Sequence, residues 1–312
     1  MIISRGRRVL DDLLSAASRN ANGRHDDAVT AGATMRALSS GEERGMELPD
    51  WVPEGIDVTV PNAARMYDYA LGGFHNFAVD RENVERVEQM MPGARRVAHA
   101  NRAFLGRAVR WLVKAGITQF LDIGSGIPTL GNVHEIALRA APEARVMYVD
   151  IDPVAVAHSR AMLAEYPRVE VVEADIRRPA DILNHPDVTE LLDFAEPVAV
   201  LLVAVLHFLP DADDPGGILA QLRDATVRGS YIVLSHGTPV PELDEEIDSL
   251  HKVYKRTPTP LHLRTAEQVA DLLDGLELVE PGIVPISDWH PDPDEVDAEP
   301  RPEMLAAVAH KP

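Results

Sequence analysis

The sequence predicts an α/β fold in which a parallel β-sheet is covered by helices on both faces. Short apolar segments alternate with helical segments along most of the chain. The apolar segments are nearly continuous in hydrophobicity, and the first runs directly into a turn with two glycines. Strands buried on both faces are apolar throughout, as in parallel sheets whose crossover connections are helices.

The composition allows one substantial core and excludes several kinds of site. The chain has 312 residues, of which 46% are hydrophobic, enough for one core with an appended cap. Its formal net charge of −20 argues against a nucleic-acid partner, because phosphates bind to concentrated basic surfaces. Since there is no cysteine, disulfides, iron–sulfur clusters and cysteine zinc sites are excluded.

The first part of the chain is predicted to lie outside the core. Residues 1–50 lack sustained periodicity, so we expect a mobile N-terminal extension, and Met46 offers an alternative start. The N-terminus lacks the apolar segment of a signal peptide. The longest apolar run, residues 198–206, is far shorter than the roughly 20 residues that span a bilayer. We therefore expect a cytoplasmic protein without a membrane partner.

The helices and strands of the core are predicted from periodicity and from start and stop signals. Residues 94–114 carry apolar side chains on one helical face, and Gly116 ends that helix. Asp152 followed by Pro153 predicts a helix start with Asp as N-cap. Strands are predicted at residues 117–123, 145–149, 169–172, 198–203 and 230–235, and helices at 129–141, 153–166 and 218–226.

The C-terminal part departs from this alternation. Residues 242–263 are predicted to form an inserted helix and loop near the site, and residues 276–284 and 304–310 a closing pair of strands. The connection 287–303 is acidic and rich in proline, so we expect it in solvent rather than in the core. The carboxylates of residues 242–246 fit a solvated helical face, and no metal is expected.

Two segments predict a nucleoside-binding β-α-β unit: Phe120-Leu-Asp-Ile-Gly-Ser-Gly-Ile-Pro128 and Tyr148-Val-Asp-Ile-Asp-Pro153. A dinucleotide site would need a third Gly or Ala three residues after Gly126, where this chain has Thr129. Pro128 also removes a backbone N–H that a pyrophosphate would use. Asp122 beside the turn suits an ammonium group better than a phosphate. A cationic amino-acid nucleoside therefore fits the turn better than NAD.

The chain resembles the class I S-adenosylmethionine-dependent methyltransferases, and among them the bacterial family called domain of unknown function 574. The resemblance covers residues 51–312 and implies a Rossmann-like, doubly wound, seven-stranded sheet in the order 3-2-1-4-5-7-6, with the last strand antiparallel. It also implies a helical N-terminal cap, here residues 51–93, before a core at residues 94–312. Phe74 and His75 stand where the family commonly has Lys-Asp, so no substrate role carries over for that pair. The resemblance to this family rests on the two segments above and on six others: Tyr67-Asp-Tyr-Ala-Leu-Gly-Gly73, Asn76-Phe77, Asn101-Arg-Ala-Phe-Leu105, Asn132-Val-His-Glu135, Val203-Ala-Val-Leu-His-Phe208 and Leu234-Ser-His236.

The candidate cofactor-binding residues follow the glycine turn and the strand ends. The turn, Gly124, Ser125 and Gly126, lets the backbone approach the methionine part of the cofactor, and Asp122 faces its ammonium. Asp150 ends the second strand and can accept both ribose hydroxyls. The resemblance implies that Asp175 accepts from the adenine amino group with the Ile176 backbone beside it. Each carboxylate has a structural alternative, ordering a turn or capping a helix.

Further candidates come from the cap and from the fourth strand. Arg102 is a partner for the cofactor carboxylate or an ordinary surface ion pair. Tyr67, Gly73 and Asn76 belong to a glycine-rich motif that we interpret as a lid over the cofactor. His207 follows the fourth strand, at the sheet edge where α/β sites gather, and is the candidate general base with Tyr67 as a second catalytic candidate. The alternative for His207 is a side chain that only shapes the pocket.

These residues predict a methyltransferase that uses S-adenosyl-L-methionine and acts on an O or N nucleophile of a small molecule. Two other functions are compatible with the same motifs. A non-catalytic regulator would keep the cofactor site but lack an acceptor cavity. A nicotinamide oxidoreductase would bind NAD in preference to S-adenosylhomocysteine.

Overall fold

The sheet is built from strands whose parallel members all end at the same edge. The computed structural model describes residues 56–129, 131–255, 257, 259–293 and 301–312, and the predicted extension 1–50 lies outside them. The strand order is β3-β2-β1-β4-β5-β8-β6, with β7 paired to β8. Strands β1 to β5 are parallel, and β8 runs antiparallel to its neighbours. The strands are β1 Gln119–Ile123, β2 Arg145–Asp150, β3 Val169–Glu173, β4 Ala199–Val203, β5 Tyr231–Gly237, β6 Glu277–Leu278, β7 Val284–Pro285 and β8 Met304–His310.

Helices cover both faces of the sheet, because successive strand residues point to opposite sides. In β2, Val146 and Tyr148 join one core cluster and Met147 and Val149 the other. The helices are α1 Ala63–Ala70, α2 Ala78–Met90, α3 Ala94–Lys114, α4 Val133–Ala140, α5 Pro153–Leu163, α6 Pro179–Leu183, α7 Pro186–Leu191, α8 Pro215–Ala225, α9 Asp244–Tyr254 and α10 Ala266–Leu272. None of the helices in the described ranges is long and apolar enough to cross a membrane.

The two N-terminal helices pack against the helix inserted after β5. Met66 of α1, Val84 and Val87 of α2 and Val253 of α9 form a separate buried cluster. This contact places α1, α2 and α9 together beyond the carboxyl ends of the strands. The division into a cap at residues 51–93 and a core from residue 94 stays a prediction, since Leu48–Pro312 is one compact unit.

The predicted fold class and strand order are confirmed, whereas several boundaries differ. The predicted strand 276–284 is two short strands, β6 and β7, because Pro281 lacks an N–H and Gly282 has a φ of 90°. The predicted helix 129–141 begins only at Val133, where Asn132 and Glu135 form a capping box. Helices α6 and α7 were not predicted, since helices this short show too little periodicity.

The acidic connection after β7 is not wholly solvated. Trp289 is fully buried, and it packs edge-to-face against Phe104 with ring centroids 5.5 Å apart. The buried Arg107 donates to the backbone oxygens of Trp289 and Ile286 at 2.9 and 2.5 Å. The expectation that residues 287–303 lie outside the core was therefore wrong for this part of the connection. The many carboxylates of this connection predicted a solvated segment, and its single tryptophan was not recognised as a core residue.

Candidate active site

A cavity of about 770 Å³ lies at the carboxyl ends of the parallel strands. One side is formed by the turns after β1, β2 and β3, and the other by α1, α2, α9 and the segments after β4 and β5. Loops at this edge are where ligands bind in open α/β sheets. Of the predicted site residues, it brings together Tyr67, Arg102, Asp122, Gly124, Ser125, Gly126, Asp150, Asp175, Ile176 and His207.

The glycine turn is held by the end of the second strand. Gly124 and Gly126 have φ values of 72° and 65°, a region that other residues rarely adopt. The N–H groups of Gly124 and Ser125 both donate to the Val149 oxygen, at 2.7 and 3.1 Å. A Cβ on Gly124 would lie 2.1 Å from Cγ2 of Val205. The positive φ and this contact therefore both require glycine at position 124.

Asp150 is a buried acid at this edge, and its carboxylate also holds the backbone of the turn. Its Oδ2 accepts from the Gly126 N–H at 2.7 Å and its Oδ1 from the Asp152 N–H at 2.8 Å. Burial raises the pKa of Asp150 to about 6, although these backbone hydrogen bonds oppose the shift. Each oxygen keeps one further acceptor position. As predicted, Asp152 caps α5, accepting from the Val154 N–H at 3.0 Å.

Asp122 lies behind the turn and Arg102 lies opposite it. Burial raises the pKa of Asp122 to about 7, with Arg102 lowering it and Asp150 raising it. The guanidinium carbon of Arg102 is 5.6 Å from the Tyr67 ring centroid. Its Nε is buried without a hydrogen-bond partner in the described structure, and so is the Ser125 hydroxyl. Arg102 and Ser125 both line the cavity, and an unpartnered buried polar atom is a candidate for a hydrogen bond to a ligand.

Asp175 and Ile176 follow β3 at the far end of this wall. The Asp175 carboxylate accepts from the Arg177 backbone N–H and from its Nε, each at 2.9 Å or closer. Hydrogen bonds to Arg177 hold the pKa of Asp175 below its usual value despite burial. The carboxylate is thus ionised and fixed in place, with acceptor positions left over for a donor from a ligand.

A one-directional hydrogen-bond chain ties Tyr67 to the sheet. The Ala204 N–H donates to the Ser235 hydroxyl at 2.9 Å, and Ser235 donates to Oδ1 of Asn101 at 2.5 Å. Nδ2 of Asn101 donates to the Tyr67 hydroxyl at 2.9 Å, and that hydroxyl donates to the Ala98 oxygen at 3.1 Å. The Tyr67 proton is therefore committed to a backbone oxygen. Asn101 and Ser235 were missed, although both lie inside motifs that carried the resemblance.

His207 stands in the 3-10 turn Leu206–Phe208 after β4, and it is buried. Its Nδ1 accepts from the Gly237 N–H at 3.2 Å, so in the neutral ring Nε2 carries the proton. Burial lowers the pKa of His207 well below its ordinary value, with nearby His236 and Arg264 acting in the same direction. The ring is neutral, and its basic nitrogen is already used. The geometry therefore opposes the predicted role of His207 as general base.

The His207 turn is anchored by Arg264, which sequence reasoning missed. This buried side chain donates to the oxygens of Leu206 and Leu209 at 3.1 and 2.9 Å and to Asp211 at 2.6 Å. It also contacts Nε2 of His236 at 3.1 Å. Burial lowers the pKa of His236 to about 4. No motif marked Arg264, because its partners are mostly backbone oxygens distant in sequence.

Gly73 and Asn76 do not lie among the cavity-wall residues and instead surround the buried Asp68. Asp68 accepts from Nδ2 of Asn76 at 2.8 Å and from the Thr129 hydroxyl at 2.6 Å. A Cβ on Gly73 would lie 1.9 Å from Oδ1 of Asp68. In this structure the double-glycine motif wraps a carboxylate that joins the cap to the glycine turn. This arrangement gives Gly73 and Asn76 a structural role where we predicted cofactor contacts.

The walls fit S-adenosylmethionine on three observations. Two residues of the wall, Arg102 and Ser125, each carry a buried polar atom without a hydrogen-bond partner, Nε and the hydroxyl. Buried acids with free acceptor positions, Asp122 and Asp150, suit an ammonium and a ribose. The donor set contains no lysine for a pyrophosphate.

Comparisons with known proteins agree with this donor set. A family model described as S-adenosyl methyltransferase matches residues 49–312. The structure of a DUF574 family protein from Streptomyces avermitilis is 42% identical, with a TM-score of 0.78, covering 82% of this chain and 99% of that one. A presumptive methyltransferase from Thermobifida fusca is 39% identical, with a TM-score of 0.77, covering 84% and 99%. No curated protein matches the chain.

Proposed function

The chain belongs to this family of S-adenosyl methyltransferases, as its motifs predicted, and from that premise we propose that it methylates an O or N nucleophile of a small molecule. The family match sets aside the nicotinamide oxidoreductase and the non-catalytic regulator. The enzyme uses S-adenosyl-L-methionine, and what remains to be proposed is the acceptor and the role of each residue.

The observation that carries the proposal is the extent of the cavity. Beyond the acidic turns it continues between the cap and α9, where its wall is apolar, with Met66, Ile247, Leu250 and Phe208 among its residues. A volume of about 770 Å³ is within the range of small-molecule sites, roughly 300–1,000 Å³. The cavity therefore has space for a second small molecule beside the nucleoside. A macromolecular acceptor would need an open surface instead.

We assign the cofactor contacts to residues that line the acidic side of the cavity. Asp150 accepts the ribose hydroxyls, Asp122 faces the ammonium, and the guanidinium of Arg102, whose Nε has no hydrogen-bond partner here, receives the carboxylate. Asp175 and the Ile176 backbone contact the adenine edge. When bound, the cofactor supplies a methyl group already activated by the positive sulfur. The protein's share of the chemistry is then alignment of the acceptor and exclusion of water.

We assign positioning roles to the two residues first considered catalytic. The neutral His207 presents its Nε2–H as a hydrogen-bond donor, because Nδ1 is held by the Gly237 N–H. Tyr67 contributes a ring edge and a hydroxyl fixed by Asn101. Both groups can orient an acceptor, whereas neither has a free basic atom in this arrangement.

The test is a methyl-transfer screen with the full chain and a donor carrying an isotopically labelled methyl group. Extracts and a compound library are scanned by mass spectrometry for molecules that gain the label. The expected result is a small product formed by the native protein and lost in the Asp150→Asn variant. Labelling of nucleic acid or protein only, or transfer unaffected by that substitution, would contradict the proposal.

A further inference from the structure

The acceptor side of the cavity has no free base among its described tyrosines and histidines. Tyr67 donates its proton to the Ala98 oxygen, and Nδ1 of His207 is occupied by the Gly237 N–H. Burial raises the pKa of Tyr254 to about 12, so this phenol stays neutral. An alcohol acceptor would need one of these groups to take its proton at the moment of attack. An ammonium is a far stronger acid than an alcohol, so a carboxylate can take its proton and free the nitrogen lone pair.

The charges of the wall disfavour an acceptor that arrives as an anion. Each arginine in the described wall has an acid beside it: Arg95 pairs with Glu85 at 2.6 Å, Arg177 with Asp175 at 2.6 Å, and Arg102 acts on the buried Asp122. Since Arg102 is also assigned to the cofactor carboxylate, none of these three arginines is assigned to a phenolate or carboxylate of the acceptor. An ionised oxygen nucleophile would therefore meet a negative wall.

One carboxylate on the acceptor side has no such neighbour. Glu303 lines the cavity just before β8, and its backbone oxygen accepts from the Thr238 N–H at 3.0 Å. Within the described ranges its side chain makes no ion pair and no hydrogen bond. The same wall also contains apolar residues such as Met304 and Leu263. A carboxylate in an apolar wall favours a cationic partner.

We propose that the acceptor is an apolar amine and that Glu303 is the specificity-determining residue that holds its nitrogen, an inference that rests on the proposed function. The ammonium gives one proton to the Glu303 carboxylate, and the freed lone pair forms the new N–C bond. The C–S bond of the donor breaks with its electron pair left on sulfur. The product is the N-methylated ammonium, which now carries the positive charge. The apolar walls favour the neutral amine at the moment of attack.

The first test measures binding and needs no turnover. Matched pairs that differ only in the polar group, tryptamine with tryptophol and 2-phenylethylamine with 2-phenylethanol, are titrated by calorimetry into the full chain saturated with S-adenosylhomocysteine. We expect each amine to bind about tenfold or more tightly than its alcohol, the ratio for one charge-assisted hydrogen bond. Glu303→Gln should abolish this preference, and Glu303→Asp should retain part of it. Glu165→Gln, an exposed carboxylate outside the wall, is the matched control and should leave the preference unchanged.

Two results would overturn the amine assignment: amines that bind no better than their alcohols, including the case in which neither binds, and a preference that survives Glu303→Gln. The labelled-methyl screen separates this failure from that of the function itself. Transfer to phenols or alcohols alone would keep the small-molecule methyltransferase and refute the amine. Absence of transfer to every class of small molecule would refute the proposed function.

Discussion

Replacing Asp150 with Asn tests the assigned ribose contact most directly. The substitution removes the negative charge and nearly preserves the shape of the side chain. In the native chain both oxygens organise backbone, with Gly126 N–H at 2.7 Å and Asp152 N–H at 2.8 Å, and each has one acceptor position left. The Asn side chain has only one oxygen, so it can accept from only one of these two backbone N–H groups. A ribose hydroxyl therefore loses its charged acceptor.

The size of the effect follows from what is lost. A hydrogen bond to a charged group contributes roughly 1.5–3 kcal/mol, which corresponds to about 10- to 150-fold in Kd. Burial raises the pKa of Asp150 to about 6, so the native carboxylate is fully ionised only above that pH. The comparison therefore belongs at pH 8. Near pH 5 the native residue is itself largely protonated, and the difference between the two proteins should shrink.

Calorimetry with S-adenosylhomocysteine at the two pH values measures this directly. The matched control is Glu173→Gln, since Glu173 pairs in register with Asp150 but is exposed and outside the cavity wall. Thermal melting of each variant separates lost affinity from lost folding. Equal cofactor affinity of Asp150→Asn and the native chain at pH 8 would refute the ribose assignment.

Three further predictions concern stability. Burial raises the pKa of Asp122 to about 7, so the folded chain holds this proton more tightly than the unfolded chain, and the free energy of unfolding falls as the pH rises from about 4 through 7. Asp122→Asn should therefore raise the Tm at pH 8, leave it nearly unchanged at pH 4, and weaken cofactor binding. A lower Tm of the variant at pH 8 would contradict this. Gly73→Ala should destabilise by about 1–3 kcal/mol in urea titrations, because its Cβ would lie 1.9 Å from the Asp68 carboxylate, whereas Gly216→Ala, with its nearest contact at 3.9 Å, should be neutral or stabilising. Trp289→Ala should cost about 3–5 kcal/mol by the same measurement, and a loss below about 1 kcal/mol would show that this side chain is not a core element.

The motifs predicted which residues meet around the glycine turn, because the geometry there is local. Backbone conformation over a few residues is enough to place a strand, the glycine turn after it, and the acid at the end of the next strand. The sequence also carries the N-cap at Asp152, which the structure confirms. The acceptor side depends instead on contacts between distant segments. His207 meets Gly237, its neighbour Leu206 meets Arg264, and Tyr67 meets Asn101, only after the chain has folded.

Functional roles that depend on protonation were therefore the weakest predictions. A histidine at a strand end is a natural candidate base until its lone pair is found to accept a backbone N–H. Tyr67 was a second catalytic candidate, and in the structure its hydroxyl proton is donated to the Ala98 oxygen. The double-glycine motif was interpreted as a lid over the cofactor, and in the structure Gly73 lies directly against Asp68.

The sequence by itself determined the alternation of strands and helices, the glycine turn and the acids at its strand ends, since these rest on hydrophobic period and on backbone conformations that few residues adopt. Only the tertiary structure decided which acids are buried together, which polar atoms are left without a partner, and that Trp289 belongs to the core. Burial and hydrogen-bond partnership are properties of surfaces that meet across the fold. Burial and hydrogen bonding set the charge of each titratable side chain, and that charge limits the chemistry that the cavity can support.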